Sequence, residues 1–297
     1  MQKVIINSVD NYPLDLNLYL IDQPKAFIQI IHGMEEHQQR YQHLAKALNE
    51  SGFSVVTSNM RGHGQNAQKL GYFADKNGHW LLLQDYKIIT KYIQETFNVD
   101  KVIIFGHSMG SIILRNLLVD NSHNYSKVIL CGYPSYSKLT KLGLLITKTL
   151  QKLLGPKHHS KFVNKLTIEA FNAKIKNPKT KLDWLSVSEK NIQEYIKDPL
   201  CGFGFSVSAF KDLMTLSLTL NQPYKYKNIN DIPILMIRGE EDPSTGFAKG
   251  AKHSLNHLKK CGFSEIKQIT YPNARHEILN EDIKDTVILD IIEFANE

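Results

Sequence analysis

Ser108, Asp242 and His276 are the residue types from which an activated nucleophile is built. A serine hydroxyl attacks a carbonyl carbon only when a base takes its proton, and the base performs best when an acid fixes its tautomer and orientation. Ser108 sits in Gly106-His107-Ser108-Met109-Gly110, a G-x-S-x-G run between the apolar stretch V-I-I-F and the helical stretch S-I-I-L-R-N-L-L-V. A strand-to-helix turn there needs small neighbours, lifts the hydroxyl to a helix N-terminus, and leaves the Met109 N–H free to hold an oxyanion. The bland alternative is a plain turn with a capping serine.

The orienting acid and the base must each follow a strand. Residues 233–237 lead into Arg238-Gly239-Glu240-Glu241-Asp242-Pro243, and Asp242 lies deepest in that loop, just before the proline. Glu240 and Glu241 read as solvated charges. The run 265–270 leads into Tyr271-Pro272-Asn273-Ala274-Arg275-His276, which places His276 before the last helix. The order Ser, Asp, His is that of an α/β-hydrolase. A second oxyanion donor is expected after the third strand, in Ile31-His32-Gly33-Met34, from the Met34 N–H. A turn built around Gly33 is the structural alternative there, and Arg61-Gly62-His63-Gly64 reads as a turn with no chemistry. Twelve histidines make any single one weak evidence. His253 and His257 share a helix face without a third ligand, so no metal site is expected, nor a cofactor.

The elements that must carry these loops are legible as alternation. Eight strand-like runs fall at 4–8, 16–21, 26–31, 53–57, 101–105, 127–131, 234–237 and 265–270. From the third onward they alternate with helical periodicity at 37–51, 80–97, 109–121, 245–261 and 281–295. This predicts an α/β fold, a mostly parallel eight-stranded sheet flanked by helices, with an antiparallel hairpin at one edge around Asn11-Tyr12-Pro13. The alternation lapses after the sixth strand. Residues 134–208 are therefore expected to form a helical cap, with 1–133 and 209–297 as the core.

Composition narrows the partners. Of the net charge of +7, residues 137–181 contribute eleven lysines against Glu169, which leaves the remainder near −3. That stretch has no arginine and little aromatic interleaving, so nucleic acid is not the expected partner, whereas an anionic membrane surface is. Within it, residues 138–154 place Leu139, Leu142, Leu145, Ile146, Leu150, Leu153 and Leu154 near one helical face. Either that face packs on the core, or it meets a membrane or an acyl chain. The N-terminus lacks a basic, then apolar leader, and no apolar run reaches membrane-span length, so the expected location is cytoplasmic, peripheral to the inner membrane face. Cys131, Cys201 and Cys261 are too few and too scattered for a redox or zinc pair, and are expected to be reduced.

Taken together, His32-Gly33-Met34-Glu35-Glu36-His37 with Arg40-Tyr41, Arg61-Gly62-His63-Gly64, Gly106-His107-Ser108-Met109-Gly110, Asp198-Pro199-Leu200 and Ala274-Arg275-His276-Glu277 resemble the monoacylglycerol lipase and lysophospholipase branch of the α/β-hydrolases. Serine aminopeptidase-type hydrolases share these motifs. The resemblance implies a Ser108, Asp242 and His276 triad, an oxyanion hole at Met34 and Met109, and a lid over an acyl channel, with Gly33, His107 and Leu200 as expected substrate contacts. Asn59 stands where the family usually has Asp. The expected activity is hydrolysis of a small-molecule acyl ester, a monoacylglycerol or lysophospholipid. An aminopeptidase or amidase, and a non-catalytic lipid-binding protein on the same fold, are the alternatives.

Overall fold

The computed structural model describes the backbone of residues 1–297 and every side chain except those of Lys161, Leu166 and Ile168. The eight strands are β1 (Gln2–Asn7), β2 (Pro13–Tyr19), β3 (Phe27–Ile31), β4 (Ser54–Ser58), β5 (Val102–His107), β6 (Tyr125–Cys131), β7 (Ile234–Gly239) and β8 (Ile266–Tyr271). They form one sheet in the order β1-β2-β4-β3-β5-β6-β7-β8. β1 pairs antiparallel with β2 and β2 antiparallel with β4, while every later pairing is parallel. Asn11, at φ +61°, makes the turn of the edge hairpin.

The central strands are buried along their whole length because helices cover both faces. The first helices are α1 (Gln42–Glu50), α2 (Gly78–Phe97) and α3 (Met109–Asn121). Ile31, Val56, Ile104, Val128 and Met236 point into one apolar cluster with α2 and α3. Ile30, Val55, Phe105, Ile129 and Ile237 point into the other, with α1 and the chain's last helix. These are the alternate side chains of each strand, as period-two geometry requires.

Between β6 and β7 the chain runs through α4 (Thr140–Leu154), α5 (Lys161–Asn164), α6 (Ala170–Asn172), α7 (Glu189–Lys197) and α8 (Val207–Leu218). The fold closes with α9 (Phe247–Cys261) and α10 (Lys284–Asn296). Helix α8 is absent from the sequence reading and spans residue 209, where the core was expected to resume. It packs on α2, α3 and α4. Helix α4 meets it through small residues: Thr140 and Thr147 are buried, and a Cβ added to Gly143 would sit 3.3 Å from Met214 Sδ. The apolar stripe expected on α4 is consequently turned outward. Leu139, Leu142, Leu145, Leu153 and Leu154 are 51–72% exposed, and only Ile146 and Leu150 are half-buried.

Candidate active site

The loops leaving the carboxyl ends of β3, β5, β7 and β8 meet above the sheet, where open α/β sheets place their ligands. Ser108 joins β5 to α3 with φ +51° and ψ −118°, a strained conformation for a residue with a Cβ. Close approach, rather than dihedral freedom, requires the flanking glycines. A Cβ on Gly106 would lie 2.7 Å from the Gly110 backbone, and one on Gly110 would lie 2.2 Å from the Ile31 carbonyl.

The three residues singled out by type and spacing come together. Ser108 Oγ is 2.7 Å from His276 Nε2, and His276 Nδ1 is 2.9 Å from Asp242 Oδ2. Asp242 is fully buried, whereas Glu241 is half-exposed and faces Arg275. Burial pushes the Asp242 carboxyl up, but the His276 charge and the hydrogen bonds from His276 and Ser244 outweigh it and leave the group below its ordinary range. Ser244 was not foreseen. Its N–H donates to Asp242 Oδ1 and its Oγ lies 2.9 Å from His276 Nδ1.

The β3 loop is held by charges that the sequence reading left without a role. Gly33 backs directly onto Ser108, since a Cβ there would come within 3.2 Å of Ser108 Cβ. Glu36 accepts the Gly33 N–H and the Tyr41 hydroxyl, the latter at 2.7 Å, and pairs with His107 Nδ1 at 3.2 Å and Arg40 at 3.5 Å. Burial raises the Glu36 carboxyl, yet the hydrogen bond and charge of His107 and the charge of Arg40 prevail and hold it ionised. The same partnership raises His107 against the downward pull of burial. His107, an expected substrate contact, lines the cavity and also braces the site, with Nε2 3.3 Å from the His276 carbonyl. Arg40 further grips Glu277, the residue after His276, through bonds of 2.8 and 2.7 Å.

Arg61-Gly62-His63-Gly64 also takes part. The Glu35 N–H donates to His63 Nε2 at 3.2 Å, and the Met60 N–H donates to His32 Nε2 at 3.0 Å. Both imidazoles thus act as acceptors at Nε2 and carry their proton on Nδ1. Burial pulls His32 down to about 4 and His63 well below its ordinary value.

A cavity of about 260 Å³ opens over Ser108 and His276. Gly33, Met34 and His107 line it together with Trp184, Leu185 and Tyr195 from the segment between β6 and β7. The Trp184 ring lies 4.9 Å from that of His276. The Met109 side chain packs into the core, leaving its backbone N–H at the start of α3. Leu200 lies outside the cavity wall, in a turn where its N–H donates to Asp198.

Among the described residues, one cluster has metal-ligand chemistry: His37, Asp198 and Cys201, with ligand atoms within 4.8 Å of one another. His37 Nε2 already pairs with Asp198 Oδ2 at 2.8 Å, and burial pushes the Cys201 thiol up, away from the thiolate a metal needs. All three cysteines are buried and free.

The sequence profile of the family described as Hydrolase_4, serine aminopeptidase S33, matches residues 22–283. The chain belongs to this hydrolase family. Its relatives within the α/β-hydrolase class include the monoacylglycerol lipase of Mycolicibacterium smegmatis, 22% identical over 90% of this chain and 87% of that protein. The human monoglyceride lipase is 25% identical over 87% of this chain and 77% of that protein. Among solved structures, the thermostable carboxyl esterase of Bacillus coagulans, determined in complex with glycerol, superposes with a TM-score of 0.91 at 27% identity, covering 99% of this chain and 97% of that one.

Proposed function

We propose that this hydrolase cleaves carboxylic esters of single-chain lipids through Ser108, His276 and Asp242. The reading rests on one observation above the others: the unbroken path from Ser108 Oγ through His276 to a fully buried Asp242, at the floor of a cavity. His276 Nε2 takes the Ser108 proton as Oγ bonds to the acyl carbon. The oxyanion is held by the N–H groups of Met34 and Met109. Collapse expels the alcohol, which takes the proton back from His276, and a water activated in the same way releases the carboxylic acid.

Ester chemistry is favoured by the lipases and esterases among the relatives. The cavity is at the low end for ligand sites, which suits one acyl chain of short or medium length. Residues 134–208 serve as the cap, and the outward leucines of α4 with the surrounding lysines dock it on an anionic lipid surface. A second reading, cleavage of an aminoacyl amide, draws on the carboxyls of Glu35 and Glu169 in the cavity wall, which would suit an α-ammonium group.

The test is Ser108→Ala against wild type on monoacylglycerols, p-nitrophenyl esters and aminoacyl anilides, with mass spectrometry after a serine-directed phosphonate. Expected are a single adduct on Ser108, ester turnover far above anilide turnover, and loss of at least 10³-fold in kcat in the variant. Full activity of Ser108→Ala would overturn the assignment.

A further inference from the structure

The cavity wall holds polar atoms that no protein group satisfies. Glu35 Oε1, Asn164 Oδ1 and Trp184 Nε1 are each buried without a hydrogen-bond partner, and all three residues line the cavity over Ser108. Buried polar groups are nearly always paired, and three orphans on residues of one cavity point to a polar occupant, whether water or a ligand. Their inventory is specific: a carboxyl, an amide oxygen that only accepts, and an indole N–H that only donates.

Glu35 is the most unusual of them. Its backbone is left-handed, at φ +55°, a region that favours glycine. The main chain is pinned there from three sides, by its N–H to His63 Nε2 and by its carbonyl to the Tyr195 hydroxyl at 2.8 Å and the Gly202 N–H at 3.0 Å. A strained residue held so firmly, whose carboxyl takes a backbone hydrogen bond from Gly204 yet leaves Oε1 unpaired beside the cavity, is a residue with a task.

We propose that Glu35, with Asn164 and Trp184, reads the alcohol half of the ester, accepting a neutral, hydroxyl-bearing leaving group and turning away one that carries phosphate. This rests on the ester-hydrolase reading above. Trp184 packs against His276, the group that must protonate the departing alkoxide, so its N–H belongs to the alcohol side. A glyceryl group brings two hydroxyls, which together donate to Glu35 and Asn164 and accept from Trp184, whereas a phosphate offers acceptors to two groups that are themselves acceptors. Among the described lining residues, Glu36 and Glu277 are already paired with Arg40, and the carboxyls of Glu35 and Glu169 stand against Lys181. Burial holds the Glu35 carboxyl up at about 7, so near neutrality it is protonated as often as charged, which fits a hydroxyl better than a cation.

The experiment compares kcat/KM for three esters of one acyl chain, 1-decanoylglycerol, methyl decanoate and decanoyl lysophosphatidate, in wild type, Glu35→Gly, Glu35→Gln and Trp184→Phe. Glu35→Gly relieves the left-handed backbone, so it guards against a variant that fails only by misfolding. Expected are a wild-type preference of at least tenfold for the glyceryl ester over each of the others, a fall of tenfold or more in the glyceryl-to-methyl ratio in Glu35→Gly and Trp184→Phe, and partial relief of phosphate exclusion in Glu35→Gln. Ratios that stay flat across the variants, or a wild type without glyceryl preference, overturn the proposal while methyl ester hydrolysis persists. A wild type inactive on all three esters overturns the ester reading beneath it.

Discussion

Ser244 Oγ stands as close to His276 Nδ1 as the Asp242 carboxylate does, 2.9 Å in each case. The imidazole N–H is thus shared between two acceptors on one loop, and in the proposed reaction the imidazolium would gain from both. Ser244→Ala is expected to lower kcat roughly 3- to 10-fold, the worth of one hydrogen bond. An unchanged kcat in steady-state assays would show that the Ser244 hydroxyl has no part in orienting the imidazole.

Glu36 is the charge on which the β3 loop hangs. Its carboxyl is held below the ordinary range in the folded chain, so its stabilisation is present above the unfolded value near 4.5 and is lost only as pH falls through the folded value. Glu36→Gln leaves His107 and Arg40 without their shared anion and is expected to cost about 3–5 kcal/mol. Thermal melts should show a gap to wild type that persists at pH 8 and widens toward pH 5, because Glu36 also raises His107 and that part of the stabilisation is lost as pH rises. A gap that closes by pH 5 would contradict the ionised assignment.

Glu35 has the opposite sign. Its carboxyl is raised to about 7, so the folded state binds that proton more tightly than the unfolded chain does. The contribution is present below about 4.5 and is lost as pH rises through 7. Glu35→Gln should therefore raise stability relative to wild type at pH 8 by at most about 3 kcal/mol and make little difference at pH 4.5. Denaturant melts at the two pH values decide it, and an equal effect at both removes the buried carboxyl as its cause.

The leucines of α4 are solvent-facing and separate from the reaction cavity. Replacing Leu142, Leu145 and Leu153 by serine should leave turnover of a soluble short-chain ester within about twofold while weakening vesicle binding at least tenfold, since each buried leucine is worth about 1.5–3 kcal/mol. Co-sedimentation with anionic and neutral vesicles at two salt concentrations measures it. Equal binding to both vesicle types would leave the lysines no part in docking.

Much of this molecule is visible in its residue order. The strands carry their own signature because both faces of the sheet are buried, and the turn at Ser108 carries another because only glycine tolerates approaches of 2.2–2.7 Å. Asp242 and His276 followed from where the strands had to end. The outward turn of α4 was not legible, since an apolar stripe looks the same whether it faces a core or a lipid, and only the Thr140, Gly143 and Thr147 contact with α8 decides between them. Helix α8 was hidden because Val207–Leu218 is largely apolar and gives a weak periodic contrast. Glu36 and His63 were missed because their importance lies in partners distant in sequence, His107 and Arg40 for the first and the Glu35 N–H for the second. The left-handed angle at Glu35 left no trace, since the signal for such a position is a glycine.

The two histidines that accept backbone N–H groups, His32 and His63, set an acid floor that is independent of His276. Once protonated, neither offers a lone pair at Nε2, and the Glu35 and Met60 amides lose their acceptors inside a dry interior. Acid below about 4 would then undo the loop carrying Met34 rather than merely idle His276, so activity lost there would return at the slower pace of refolding.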